Sequence, residues 1–452
     1  MITIRKWCGL LLMAGWALLN VNAVDTAVLR DYKSGEPIAY GGKQQAGAVK
    51  VPVTYLPKKQ EFRGAWVATV ENIDFGKHTS AGTFKNEYIQ VVNNLQKLNF
   101  NAVIFQIRPM NDAFYSSRLN PWSRWITGKE GQGIGDFDPL SFMISEAHVR
   151  GLEFHAWLNP YRVVNSTPLR KQQYLNTLAP GNFARKRPDL VLEIPLADNK
   201  YQLILNPGEP AVINFVLNTV KEIMQKYPVD AIHFDDYFYP YTEIKNVDAA
   251  TYKKYNRQPA RGIENWRRDN VNTLIYQLRK TIDSHNKTYK RKVQFGISPF
   301  GIWANKSTNP AGSLTAGSQS YYRQYADTRR WVKQEWIDYI VPQLYWPFGR
   351  DVAPYAALAD WWAEQVRGTN VRLYIGLGAY QMGGSNEMWQ NPDEIAAQLR
   401  YNSGRSNIHG AAIFSYKSVA RPANDIMRRG VSDVLKKYWN YRVPAPAIPA
   451  KY

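Results

Sequence analysis

Two adjacent carboxylates, Asp235 and Asp236, follow the apolar run Ala231–Phe234, and no other acidic pair stands at the end of such a run. Paired carboxyl groups suit hydrolysis of a glycosidic bond, where one protonates the leaving oxygen and the other serves as nucleophile or base. Neighbouring side chains on a strand point to opposite faces. Asp236 must therefore lie where the chain bends if both are to act on one substrate. Other apolar runs end in residues of related chemistry: Gln106 and Arg108; His155, Trp157, Asn159 and Arg162; His233 and Tyr237; Ser298; and Gln343, Tyr345 and Trp346. Alternation turns Gln106, Arg108, His155, Trp157, Asn159, His233, Asp235, Gln343 and Tyr345 inward. Trp157, Tyr237, Tyr345 and Trp346 offer flat rings to sugar faces, with plain packing as the alternative for each. Arg108 and Arg162 suit a substrate carboxylate or an ion pair with the aspartates. His155 and His233 suit hydrogen bonds to sugar hydroxyls or to Asp235, with a satisfied core histidine as the alternative. Should a further carboxylate come from a loop, the candidates are Glu71, Asp74 and Asp112, each otherwise a surface acid. No His-x-His pair accompanies the aspartates, so the pattern implies neither a metal nor a cofactor.

Placing these residues at one mouth requires a particular scaffold. Eight short apolar runs recur along the chain: Arg63–Val70, Ala102–Ile107, Glu153–Leu158, Ala231–Phe234, Val293–Ile297, Tyr339–Leu344, Leu373–Leu377 and Ala411–Phe414. Segments of helical spacing lie between them. Val212, Phe215, Val216, Val220, Ile223 and Met224 mark one helix face, Tyr88, Val92, Leu95 and Leu98 another, and Val271, Leu274, Ile275 and Leu278 a third. Eight strands alternating with helices predict a (β/α)8 TIM barrel of the α/β class, whose active site lies at the C-terminal ends of the strands. The rival, an open doubly wound sheet, would carry a Gly-rich phosphate loop after its first strand, and none is present. The barrel is expected over residues 59–430. The longest connection, between the third and fourth strands, holds extra turns near Asn165–Asn206 that could wall the cleft. Residues 24–58 show no period and read as a leader or linker. Residues 431–452 end in a Pro-rich tail expected to be extended and solvated.

The 452 residues carry 57 Lys and Arg against 37 Asp and Glu, a net charge of +20. Such a surface favours acidic polymers. No Lys/Arg-dense run or nucleic-acid motif appears, so an acidic glycan fits better than nucleic acid. Arg5 and Lys6, the apolar stretch Trp7–Leu19 and the small residues before Val24 have the form of a secretory signal peptide over residues 1–23. A membrane span needs about 20 apolar residues, and neither this stretch nor any later one reaches that, so no integral membrane association is expected. The single cysteine, Cys8, lies inside the signal. The mature chain is then expected to be exported, periplasmic or secreted, soluble, and free of thiol chemistry. Nothing in the sequence sets an oligomeric state.

Several strings belong to one pattern: Phe62-Arg-Gly-Ala-Trp-Val-Ala-Thr-Val70, His155-Ala-Trp-Leu-Asn-Pro-Tyr-Arg162, Asp230-Ala-Ile-His-Phe-Asp-Asp-Tyr-Phe-Tyr-Pro240, Gly296-Ile-Ser-Pro299, Tyr325-Ala-Asp-Thr-Arg-Arg-Trp331 and Asp338-Tyr-Ile-Val-Pro-Gln-Leu-Tyr-Trp346. Over roughly residues 60–430 the chain resembles the glycosyl-hydrolase-like ten family, whose best-known type is a divisome-localised hydrolase of bacterial envelopes. The resemblance implies a barrel that cleaves peptidoglycan strands stripped of stem peptides. It carries the fourth-strand pair over as Asp235 and Asp236, and a more distant similarity to amylase-type barrels favours Asp235 as nucleophile. Those barrels place a Glu at the end of strand five, where this chain has Ser298, so the identity of the acid stays open. The divisome type is lipid-anchored, whereas this chain has no cysteine after its signal. A stripped wall glycan keeps a lactyl carboxylate on each muramic residue, which suits a basic cleft. Its N-acetyl group also permits a substrate-assisted route, in which one aspartate orients the amide and the other acts as acid. Hydrolysis of a different polysaccharide, capsular or imported, and glycan binding without cleavage are the competing readings.

Overall fold

The computed structural model describes residues 24–44 and 47–449. The signal-peptide reading of residues 1–23, with Cys8, lies outside the described residues. Within them eight parallel strands close into one ring: β1 (Phe62–Val67), β2 (Ala102–Arg108), β3 (Glu153–Leu158), β4 (Ala231–Phe234), β5 (Gln294–Ile297), β6 (Tyr339–Ile340, resuming at Gln343–Leu344), β7 (Arg372–Leu377) and β8 (Ile408–Ile413). Closure runs through β8 and β1, where Gly410 stands opposite Phe62. The fold is the (β/α)8 barrel. The one strand the sequence draws as continuous but the structure breaks is β6. Pro342 interrupts it because proline has no N–H to give to the ladder.

Apolar periodicity sets the buried faces of the helices, and a cap or a proline marks the start of some of them. The helix between β1 and β2, Ala81–Lys97, opens at Ser80, whose side chain accepts the Thr83 amide, and buries Tyr88, Val92 and Leu95. Between β3 and β4, α3 (Pro210–Lys226) starts on a proline at its first turn and buries Val212, Phe215, Val216, Val220, Ile223 and Met224, the face visible in the sequence. (Helices α1 and α2 are Ala81–Lys97 and Pro139–Val149.) Directly after β3, the long connection makes a three-stranded antiparallel sheet from Arg162–Thr167, Tyr201–Leu205 and Val191–Pro195.

The barrel interior is aromatic below and polar along its axis. Phe62 stacks on Tyr374 at 4.0 Å between centroids. Gly296 leaves room for Tyr339, since a Cβ there would fall 1.9 Å from the tyrosine ring. Trp66 Nε1, which can only donate, points at His233 Nε2 at 3.3 Å. That fixes Nδ1 as the protonated nitrogen of His233, and it lies 3.0 Å from the Tyr339 hydroxyl. The same hydroxyl donates to His155 Nδ1 at 2.7 Å, and His155 Nε2 donates to Glu153 at 2.9 Å. Both histidines are thus members of a hydrogen-bonded column inside the barrel.

Both flanking segments pack on the barrel. Thr26–Val28 pairs antiparallel with Lys50–Pro52, Val49 and Val51 are buried, and the Tyr40 hydroxyl donates to Asp360 at 2.8 Å. Three-residue strands are too short to show alternation, which is why residues 24–58 read as a linker. The tail is extended and only partly solvated, with Val443 and Pro446 buried. Val443, Pro444 and Ala447 carbonyls accept from Asn101 (3.1 Å), the Glu61 amide (3.0 Å) and Arg372 (2.9 Å). Ala445 packs against the interior cluster. The tail therefore crosses the N-terminal end of the barrel, opposite the strand ends where the polar residues gather. Among the described residues, no helix is long and apolar enough to cross a membrane.

Candidate active site

Asp235 and Asp236 follow the last residue of β4, and the Phe238 amide closes a tight turn by donating to the Asp236 carbonyl at 3.0 Å. This bend brings both carboxylates to the barrel mouth, where they are 3% and 4% exposed. Their environments differ. Asp235 accepts from Trp157 Nε1 at 3.1 Å, from Asn159 Nδ2 at 3.0 and 3.2 Å, and from the Tyr237 amide at 3.3 Å, with the Arg162 guanidinium 3.9 Å away. Asn159 is itself fixed, because its Oδ1 accepts the Tyr161 and Arg162 amides. Arg162 lies over the Tyr237 ring, 4.3 Å from its centroid. Asp236 has fewer donors, the Tyr241 hydroxyl and the Gln343 side chain.

Burial raises the pKa of both carboxyl groups. For Asp235 the charge of Arg162 and the Trp157 and Asn159 donors oppose that rise, whereas for Asp236 the neighbouring Asp235 charge adds to it. Two buried carboxylates this close cannot both ionise freely. The donors around Asp235 favour its ionised form more than those around Asp236 do, so the two carboxyl groups stand in unequal environments.

Of the residues singled out in the sequence, the structure brings Trp157, Asn159, Arg162, Tyr237 and Gln343 into direct contact with the pair or its partners. Tyr345 is near enough for the Asp236 charge to act on its hydroxyl, and Trp346 lies beside it on a cleft wall. Ser298 supports the site from below: its carbonyl accepts from Gln343 at 2.8 Å and its hydroxyl lies 2.9 Å from His233. Other residues lie elsewhere. His155 faces inward, but below the mouth, and its two nitrogens are taken by Tyr339 and Glu153. His233 is bonded to Tyr339 and Ser298, so neither histidine is offered to a sugar hydroxyl or to Asp235. The Gln106 Oε1 accepts the Thr69 and Val70 amides and so anchors the loop after β1. Arg108 is turned out of the barrel by a one-residue irregularity: Gln106 pairs with Trp157, but Arg108 with Leu158. Its guanidinium bonds Asn120, Asn111 and the Asn159 carbonyl and lies over Phe215 of α3.

Two of the three loop carboxylates are likewise structural. Asp74 accepts from the Ala68 amide (2.8 Å), Ser415 (2.6 Å) and the Lys417 amide (2.9 Å), bolting the loop after β1 to the segment after β8. Asp112 accepts from the Met110 amide and Ser123, and burial, with the Glu130 charge adding to it, pushes its carboxyl up to about 6. Glu71 differs. It is exposed, adopts a left-handed backbone with φ 55°, and its charge is felt at Tyr237. A non-glycine residue in that region is strained by about 1 kcal/mol or more, a feature that concentrates at functional sites.

Beside Tyr345 and Trp346, residues the sequence did not single out line the site. A cleft of about 440 Å³ opens beside Asp236, lined by Tyr241, Tyr345, Trp346, Arg350, Tyr380 and Trp389 among others. Tyr241 ends the aromatic run Tyr237-Phe-Tyr-Pro-Tyr241, so repeated tyrosines after the carboxylate pair carry its signal. Arg350 stands in an ordinary loop after β6, and no motif points to it.

Residues 61–392 match the family described as Glycosyl hydrolase-like 10. "Glycosyl hydrolase YngK" of Bacillus subtilis (strain 168) is 42% identical over 383 residues, covering 82% of this chain and 72% of its own length. "Glycosyl hydrolase DigH" of Escherichia coli (strain K12) is 38% identical over 394 residues, covering 82% of this chain and 87% of its own. Among solved structures, alpha-L-fucosidase isoenzyme 2 from Paenibacillus thiaminolyticus superposes with a TM-score of 0.47 at 11% identity, over 84% of this chain and 49% of that one.

Proposed function

The chain belongs to the glycosyl hydrolase-like 10 family, and from that premise we propose that it cleaves the glycan strands of bacterial peptidoglycan, outside the cytoplasm and after the stem peptides have been removed. As a glycoside hydrolase it needs an ionised and a protonated carboxyl group across one scissile bond. The observation that carries the assignment to Asp235 and Asp236 is their unequal hydrogen bonding at the end of β4. In the proposed reaction the Asp236 proton passes to the glycosidic oxygen, and the bond from that oxygen to the anomeric carbon breaks. The Asp235 carboxylate faces the positive charge that develops on the sugar ring. Water then supplies hydroxide to the anomeric carbon, and its remaining proton restores the pair. The wall glycan as substrate is supported by the net charge, +20 and two less once Arg5 and Lys6 leave with the signal, and by the aromatic cleft beside Asp236. Export is supported by the charged start and short apolar stretch of residues 1–23.

The test is product release from purified, peptide-free wall glycan. Wild-type protein should release soluble fragments. Asp235→Asn should lose about 100-fold or more in turnover, as expected when a principal electrostatic group is removed, while keeping a cooperative melting transition. Unchanged turnover in both Asp235→Asn and Asp236→Asn would place the chemistry elsewhere. Release from a capsular polysaccharide but not from wall glycan would replace the substrate.

A further inference from the structure

The cleft beside Asp236 has a side and a charge. Two of its lining residues, Tyr241 and Gln343, are the ones that bond Asp236. A sugar seated there is next to the proton donor, hence on the leaving-group side of the scissile bond. The cavity, about 440 Å³, falls within the roughly 300–1,000 Å³ usual for ligand sites. Its walls are aromatic: Tyr380 is 50% exposed and packs edge-on against Tyr345, while Trp346 packs edge-on against Phe300.

Among the described residues that line it, Arg350 is the one charged group. Its backbone is pinned in a turn, with its amide donating to Pro347 at 3.2 Å and its carbonyl accepting from Ala353 at 3.0 Å. Its guanidinium is exposed and makes no ion pair or side-chain hydrogen bond to any described residue. The two arginines that the sequence offers as carboxylate readers are both engaged, Arg108 behind the strand ends and Arg162 against Asp235 and Tyr237. A planar, always-charged fork held open over an aromatic cleft is suited to bind a carboxylate.

On the hydrolase reading above, we infer that this cleft is the leaving-group subsite and that Arg350 selects a sugar bearing a carboxylate there. In a glycan that alternates a neutral N-acetylated sugar with its lactyl-ether acid, this fixes which of the two linkages is cut. The acidic sugar leaves with the proton from Asp236, and the new reducing end belongs to the neutral sugar.

Two measurements test this. The first follows Trp fluorescence of the full chain with N-acetylmuramic acid or N-acetylglucosamine as probe. Arg350→Gln should weaken binding of the acid by about ten- to a hundredfold, the loss of a charge-assisted pair, and leave the neutral sugar unchanged. Equal effects on both sugars, or no effect on the acid, would overturn the assignment. The second labels new reducing ends by borohydride reduction after digestion of peptide-free wall glycan. Label on the neutral sugar is expected, and label on the acidic sugar would overturn the inference. If the wild type releases no fragments at all, the proposed substrate fails, and the binding comparison still decides whether Arg350 reads a carboxylate.

Discussion

At the scale of single residues, the proposed chemistry rests on an asymmetry between two neighbours. Asp235 has more donors than Asp236, and burial first and the Asp235 charge second push the Asp236 carboxyl well above the usual carboxylate range. A raised pKa on an acid means that activity should fall as pH rises through it. In Tyr241→Phe the Asp236 carboxylate loses a donor that favours its ionised form, so the alkaline limb of the rate profile should move to higher pH. A limb that stays in place or moves down would remove Asp236 from the acid's role. The aspartate pair, Trp157, Asn159 and Gln343 were legible because strand parity and strand ends determine where side chains go. Arg108 was not, because one extra residue at the bulge reversed its face. Glu71 differs from Asp74 and Asp112 in being exposed and in its charge reaching Tyr237, which no sequence pattern announces.

At the scale of elements, eight apolar runs sufficed to foresee eight strands, since buried parallel strands read as short hydrophobic stretches. The height of a residue within a strand was harder to read. His155 has the correct parity but sits third in β3, inside the plug rather than at the mouth. The column it forms with Tyr339 and His233 has a stability consequence. Burial holds His233 well below its ordinary value, so the folded state refuses a proton that the unfolded chain accepts below about pH 6.5. The contribution of His233 to stability is therefore complete above that pH and declines as pH falls below it. Melting temperature should drop between pH 7 and 5, and the drop should be smaller in His233→Gln. An identical drop in the variant would show that other groups carry the acid sensitivity. Tyr339→Phe should cost about 1–3 kcal/mol in denaturant unfolding, because it strips the donor from His155 Nδ1.

At the scale of the whole molecule, Lys and Arg outnumber Asp and Glu, although several arginines, Arg63 and Arg108 among them, are buried. Charges separated by more than about 10 Å are screened in 0.1 M salt, so retention on wall glycan should weaken steadily as salt rises. Constant retention would assign recognition to the aromatic cleft rather than to charge. Export predicts a mature chain that begins near Val24, which intact-mass measurement of the secreted form checks. A species that keeps residues 1–23 would contradict it. The flanking segments were the least legible parts. The hairpin strands are too short for periodicity, and the Pro-rich tail gives no sequence sign that the barrel's lower rim will accept its carbonyls.

The closure of β8 on β1 also sets an order on folding. Asp74 and Ser415, which bolt the two ends of the ring, are 341 residues apart. Until β8 has been synthesised, β1 presents a bare sheet edge, and the newest strand made presents another. Such edges are templates for pairing with other chains, and contacts this distant along the chain form slowly. A chain that has not yet joined β8 to β1 is therefore open to pairing with other chains, and a variant that weakens this seam should aggregate more readily on refolding than one that weakens any other strand pair.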